Sequence, residues 1–335
     1  MSRLTLRRDF LTKTLIGAFC LTQAPEAFAH QRTQDRFFKG YTRFLENIDH
    51  EAREQGISAP ILKRALALTT RPNLKVLRAD RHQAEFSLSW SRYRERVLTD
   101  AKFTQGLNAV HDSASLLYPV SALYGVNRGI IAGIWGIESA YGASMGHFYV
   151  VDALATLAYA GRRASFFKGE LFKMFSILNQ GIITPEEMRG SYAGAMGQPQ
   201  FMPSTYLRYA VSYPTGHGSD IWHNKGDVFA SIAHYLAQCG WKTGASWGQA
   251  VIVPETLPKN LLGRQHVQPV SWWQQNGVKP VSGEFLTPEQ RGAILQPDGE
   301  DGPSFLVFHN FNVIRRYNPS DFYALAVCLL GDALA

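Results

Sequence analysis

Seven of the 16 prolines in this 335-residue chain fall between Trp247 and Asn310: Pro254, Pro258, Pro269, Pro280, Pro288, Pro297 and Pro303. Proline lacks a backbone N–H and clashes with the preceding helical turn, so this stretch cannot hold long helices. The β-prone runs Ala250 to Val253 and Phe305 to Phe308 read as strands of a small β-rich insertion over residues 246–310. Elsewhere apolar residues recur at helical spacing. Ser58 and Pro60 open one helix carrying Ile61, Leu62, Leu66 and Leu68. Asp152 reads as the cap of another, over Leu154, Leu157 and Ala158. Phe167, Leu171, Phe175 and Leu178 run to a stop at Gly181. Asp227 reads as the start of a fourth, through Val228, Ile232, Tyr235, Leu236 and Cys239 to Gly240. Ser320 caps a last one through Phe322, Leu325, Val327 and Leu329. The expected fold class is α+β, mainly α. A helical body over 30–245 is interrupted by the β lobe and completed by the last helix in 311–335. No period of roughly 20 to 50 residues repeats, which excludes a solenoid.

The first 29 residues read as an export signal rather than as fold. Arg3, Arg7, Arg8 and Lys13 make a positive start, Thr14 to Thr22 is a short apolar stretch, and Ala27-Phe28-Ala29 offers a cleavage site. The run Thr5 to Leu11, T-L-R-R-D-F-L, resembles a twin-arginine signal, although an ordinary secretory signal with two arginines fits as well. Cys20 follows the bulky Phe19, which argues against a lipid anchor. Cleavage near Ala29 removes four basic and two acidic residues, taking the net charge from +7 to +5. That is too mild to point to nucleic acid. No apolar run reaches the roughly 20 residues that span a bilayer. Export would permit a disulfide between Cys239 and Cys328, but both sit on apolar helical faces where free cysteine is common.

The segment Gly129 to Gly142, G-I-I-A-G-I-W-G-I-E-S-A-Y-G, places Ile131, Ile134, Trp135 and Glu138 on one helical face. A carboxyl group on an apolar stripe tends to keep its proton, which is what a general acid for glycosidic cleavage requires. A glutamate that turns out to water at a helix end, or pairs with an arginine, fits the same pattern. A second segment, Arg189 to Tyr206, is rich in glycine and small residues, with Ser191, Gln198 and Gln200 as polar groups. Met196, Phe201 and Met202 are its apolar walls. It suits either a ligand-binding turn or a close helix contact. The third segment, Arg315 to Tyr323, holds Tyr317, Asn318 and Tyr323, aromatic and amide groups that suit a sugar or a simple helix cap.

Taken together, these segments resemble the lytic murein transglycosylase B family of peptidoglycan-cleaving enzymes. The E-S-x-Y-G start, the run R-G-S-Y-A-G-A-M-G-Q-x-Q-F-M-P-S and the late R-Y-N-x-S occur in order, as do Arg162 to Leu171 and Asp227 to Leu236. The resemblance implies a lysozyme-like helical core with a helical N-terminal part and a small β domain. It implies Glu138 as the single catalytic acid/base. For substrate binding it implies Ser191, Gln200, Tyr317, Asn318, Tyr323, Tyr235 and Tyr93, with Arg163 toward the carboxylates of the peptide stem. Met196 and Phe201 are expected to keep the acid dry. The expected partner is the glycan strand of peptidoglycan, with no nucleic acid, no transmembrane segment and a monomeric, periplasmic enzyme. Some members carry a calcium loop where this chain has Ser212 to Trp222; only Asp220 is acidic there, so no metal and no cofactor is expected.

Overall fold

A computed structural model describes residues 24–81, 88–214, 216, 218–285 and 289–335, with side chains from Phe37 onward. Most of the expected export signal therefore lies outside the described residues. The first helix spans Ala24–Glu54, so the expected cut after Ala29 falls within its opening turns. Among the described residues there are 14 α-helices, a two-stranded ribbon and one five-stranded antiparallel sheet. The architecture is mainly α with a small β part, as the proline distribution implies.

Two helix starts differ from the sequence reading. The ribbon strand Phe148–Tyr149 pairs with Arg189–Gly190 and runs straight into the helix Val150–Ala160, so Tyr149 occupies the cap position. Asp152 instead lies in the first turn, where its carboxylate accepts from Thr69 Oγ1 (2.9 Å) and Asn73 Nδ2 (2.6 Å). Likewise Asn224, not Asp227, caps the helix Lys225–Gln238, accepting from Gly226 N at 2.9 Å. Asp227 turns back to accept the N–H groups of Tyr213 and Asp220, both at 2.7 Å. In both places a tertiary donor outcompetes the local cap.

The core is built on an antiparallel helix pair. Helix Arg128–Ser139 and helix Asp321–Ala333 approach so closely that Gly129 faces the carbonyl of Gly331. A Cβ on Gly133 would stand 2.7 Å from the carbonyl oxygen of Val327. Glycine at these positions lets two backbones meet, and the same contact brings residue 138 beside residue 323. Ile130, Ile131, Ile134 and Trp135 on the first helix are buried, as are Leu325, Val327 and Cys328 on the second. Each fully buried large apolar side chain contributes about 1.5–3 kcal/mol. Cys239 and Cys328 are free thiols.

The sheet has the order Gln268–Pro269, Arg291–Leu295, Ser304–Val307, Gly248–Ile252, Lys279–Pro280. Val251, Val270, Trp273, Ile294, Leu306 and Phe308 form a core of their own beneath it. Trp273 Nε1 donates to Gly292 O at 3.0 Å, so its buried polar atom is satisfied. The helix His309–Tyr317 then returns the chain to the helical body, and its last residue belongs to the candidate site.

Candidate active site

Glu138 sits in the last turn of its helix and is half-buried. The chain leaves that helix through three successive left-handed residues, Ala140 (φ 48°), Tyr141 (φ 59°) and Gly142 (φ 88°). Such conformations are costly for non-glycine residues and persist only where surroundings enforce them. Here Ser139 Oγ donates to Trp135 O (3.2 Å) and accepts from Gly142 N (3.1 Å). The Tyr141 ring folds back against Trp135 edge to face, centroids 5.4 Å apart, and its hydroxyl donates to Lys102 O at 3.1 Å. That ring lies over Gly136, where a Cβ would meet it at 2.6 Å. The E-S-x-Y-G motif is thus a rigid turn that fixes the direction of the glutamate.

Tyr323 Oη donates to Glu138 Oε1 at 2.6 Å. The Tyr323 ring is stacked with Tyr317, centroids 6.5 Å apart and 11° between planes. Tyr317 packs in turn on Tyr235 (4.8 Å) and Phe201 (5.7 Å), and its hydroxyl donates to Pro199 O at 2.6 Å. Burial pushes both phenols, Tyr317 and Tyr323, well above their ordinary range, and the charge of Glu138 pushes the same way. They remain hydrogen-bond donors in consequence. Tyr235 is raised as well, first by burial, and its hydroxyl donates to Arg316 O. A carboxyl group is thereby held at the end of a stack of neutral aromatic rings.

The glycine-rich segment joins this cluster through Pro199 and Phe201. Met196 and Phe201 are buried and their backbones pair with each other. Gln200 adopts a left-handed backbone (φ 53°) and its Nε2 donates to Met145 O (3.0 Å) and Gly197 O (2.9 Å). Ser191 Oγ accepts from the N–H groups of Ala193 (3.3 Å) and Ala195 (3.1 Å), closing the tight loop while leaving its own proton available to donate. Gln198 is buried between Trp135 Nε1 (2.7 Å) and Trp222 O (2.8 Å) and serves the scaffold. Asn318 follows Tyr317 and its Oδ1 accepts from Ser320 N at 3.1 Å.

Tyr93 is brought in from the N-terminal part. Its ring lies 5.8 Å from Phe322, next to Tyr323, and 6.2 Å from Trp90. The helix Trp90–Val97 that carries it is anchored by Asp298 of the β lobe, whose carboxylate accepts from Trp90 N (2.6 Å) and Ser91 N (2.8 Å). In the sequence Phe322 reads only as an apolar position of the last helix, and Asp298, which precedes a glycine, only as a turn residue. Arg163 is placed elsewhere. It lies over Phe166 (5.0 Å) and Phe167 (5.2 Å), and no hydrogen bond or ring contact among the described residues links it to the Glu138 cluster.

Asp152, the carboxylate nearest to Glu138 along the chain, is engaged with Thr69 and Asn73, as noted above. Asp321 lies between Arg264 Nε (2.9 Å) and Arg315 Nε (2.5 Å). Among the described residues no group of three or more His, Cys, Asp or Glu is arranged to hold a metal ion. Within Ser212 to Trp222, Asp220 accepts from Trp222 N (3.0 Å) and His223 N (2.9 Å).

A half-buried carboxyl group at the end of an aromatic stack, on a helical lysozyme-like body, is the arrangement of a carbohydrate-cleaving enzyme. The transglycosylase SLT domain matches residues 40–332, and the chain belongs to that family. It is 34% identical over 249 residues to the membrane-bound lytic murein transglycosylase B of Escherichia coli K12, covering 74% of this chain and 68% of that protein. SltB3 of Pseudomonas aeruginosa, solved with NAG-NAM-pentapeptide, superposes with a TM-score of 0.84 at 38% identity, covering 88% of this chain and 79% of that one. An Escherichia coli lytic transglycosylase solved with calcium superposes with a TM-score of 0.73 at 31% identity, covering 88% and 92%.

Proposed function

We propose that the chain is a lytic transglycosylase of peptidoglycan in which Glu138 is the single acid/base. The observation that carries this reading is the placement of one half-buried carboxyl group against the phenol of Tyr323. In its protonated form Glu138 donates to the oxygen joining N-acetylmuramic acid to N-acetylglucosamine, and the C1–O bond breaks. The substrate's own N-acetyl group eases the positive charge that develops at C1. Glu138, now a carboxylate, takes the proton from the C6 hydroxyl of the same muramic acid. That oxygen bonds to C1 and closes a 1,6-anhydro ring, so no water is consumed.

The same reading assigns the remaining roles. The neutral phenols of Tyr323 and Tyr317 orient the carboxyl group and supply donors without competing as bases. Met196 and Phe201 form the dry floor behind them. Asn318 and Ser191 hold the acetyl group and the scissile sugar, Gln200 shapes the cleft backbone, and Tyr235 and Tyr93 are its aromatic walls. The 246–310 lobe braces the helix carrying Tyr93 through Asp298. Export by the N-terminal signal, periplasmic location and a monomeric state complete the reading; none of the described helices is long and apolar enough to cross a membrane.

The test is digestion of purified peptidoglycan by the wild type and by Glu138→Gln. The amide keeps the shape but cannot donate or return the proton. Anhydro-ended fragments from the wild type and a fall of about 10³-fold or more in the variant support the assignment. Reducing ends from the wild type would instead indicate a hydrolase, which needs a second carboxylate.

A further inference from the structure

Between the β lobe and the helical body lies a groove of about 920 Å³, walled in part by Lys242, Arg264, Arg291 and His309 and by one carboxylate, Glu289. Arg264 is held by Asp321 at 2.9 Å. Arg291 donates one guanidinium N–H to Val267 O (2.9 Å). Among the described residues no carboxylate pairs with Lys242 or Arg291. The groove therefore carries two cations that are in no ion pair, with Glu289 as the single carboxylate in the same wall.

The wall holding Lys242 is rigid. Asn310 is wholly buried; its Oδ1 accepts from Lys242 N (2.9 Å), and its Nδ2 donates to Lys242 O (2.9 Å) and Ala245 O (2.8 Å). The neighbouring His309 bonds Gly240 O through Nε2 at 2.7 Å. A buried amide that meets three backbone groups at once fixes one conformation of the turn. Lys242 thus projects from a preorganised base.

The helix His309–Tyr317 runs from this groove to the catalytic cluster. Its nine residues cover about 12 Å. A five-residue peptide reaches up to about 17 Å when extended. Tyr317 at the far end of the helix stacks on Tyr323, whose hydroxyl meets Glu138, so the groove and the site lie at the two ends of one element. Planar carboxylates suit the fork of an arginine with a second cation alongside. A nucleic acid would require an unbroken basic stripe, and Glu289 interrupts this one.

We propose that this groove binds the C-terminal carboxylate of a peptidoglycan peptide stem, with Lys242 and Arg291 as the paired cations. The proposal rests on the peptidoglycan reading of the Glu138 site, and its test separates the two.

The experiment uses the full chain carrying Glu138→Gln, so that no turnover occurs, titrated calorimetrically with a disaccharide-pentapeptide and with the same molecule amidated at its C-terminus. Amidation should weaken binding about tenfold, the loss expected for one charge-assisted contact. The added pair Lys242→Gln and Arg291→Gln should weaken the free-carboxylate ligand by a similar factor and make amidation irrelevant. A change below about twofold on amidation, or an equal loss of both ligands in the double variant, overturns the proposal. A wild type that binds the ligand in this pattern yet yields no anhydro ends from glycan overturns the activity reading alone.

Discussion

The hydroxyl of Tyr323 donates to Glu138 Oε1 at 2.6 Å across 185 residues of chain, and the glycine contact between their two helices is what brings them together. Replacing Tyr323 by Phe keeps the stack on Tyr317 and removes only the donor. A hydrogen bond to a charged group contributes about 1.5–3 kcal/mol. Steady-state kinetics should therefore show kcat reduced about 10- to 100-fold with KM little changed. A variant with wild-type kcat would mean that this bond does not position the acid.

The phenols make a second prediction. Tyr317 and Tyr323 are held well above the ordinary value of 10.0, by burial first and by the charge of Glu138 next. A raised pKa in the native state means that stability is complete below pH 10 and declines as the pH climbs beyond it, because the unfolded chain releases these protons first. Ultraviolet titration of the Tyr317→Phe and Tyr323→Phe variants should show that neither phenol ionises near pH 10. Normal titration of either one would place it in contact with water.

Gly133→Ala tests the helix contact itself. The added methyl meets the backbone carbonyl of Val327, which cannot swing aside as a side chain can. Overpacking of this kind costs about 1–3 kcal/mol, more than the roughly 1 kcal/mol gained in helix propensity. Chemical denaturation should show a less stable protein, and kcat should fall because Glu138 shifts against Tyr323. Greater stability with full activity would refute the close approach.

Asp152→Asn separates one-carboxylate from two-carboxylate chemistry. Asp152 is raised above 3.8 by burial, while Thr69 and Asn73 oppose the shift. Its native charge is thus disfavoured: the wild type is favoured below that ordinary value and loses this advantage as pH rises through the shifted one. Urea unfolding between about pH 3 and pH 7 should show that the Asn variant lacks this slope. Its rate of glycan cleavage should stay within about threefold of wild type. A loss of orders of magnitude would make Asp152 the second catalytic carboxylate.

What could be read without coordinates was local. The apolar stripe before Glu138 is one helical face, so spacing exposed it, whereas the left-handed turn after it has no periodicity to read. The β lobe was legible because proline is a local veto. The functions of Asp152 and Asp227 were not, since an aspartate near a helix start reads as a cap whether or not Thr69 or Tyr213 waits elsewhere to claim it. The brace from Asp298 to Trp90 joins residues 208 apart and leaves no mark in either segment. Arg163 matched a family pattern, yet its guanidinium rests on Phe166 and Phe167.

The most direct measurement is digestion of peptidoglycan by the wild type in ¹⁸O-enriched water, followed by mass spectrometry of the new ends. If Glu138 passes the proton of the sugar's own hydroxyl, the fragments carry no heavy oxygen. One ¹⁸O atom at each cut would contradict the account, because water would then have been the nucleophile.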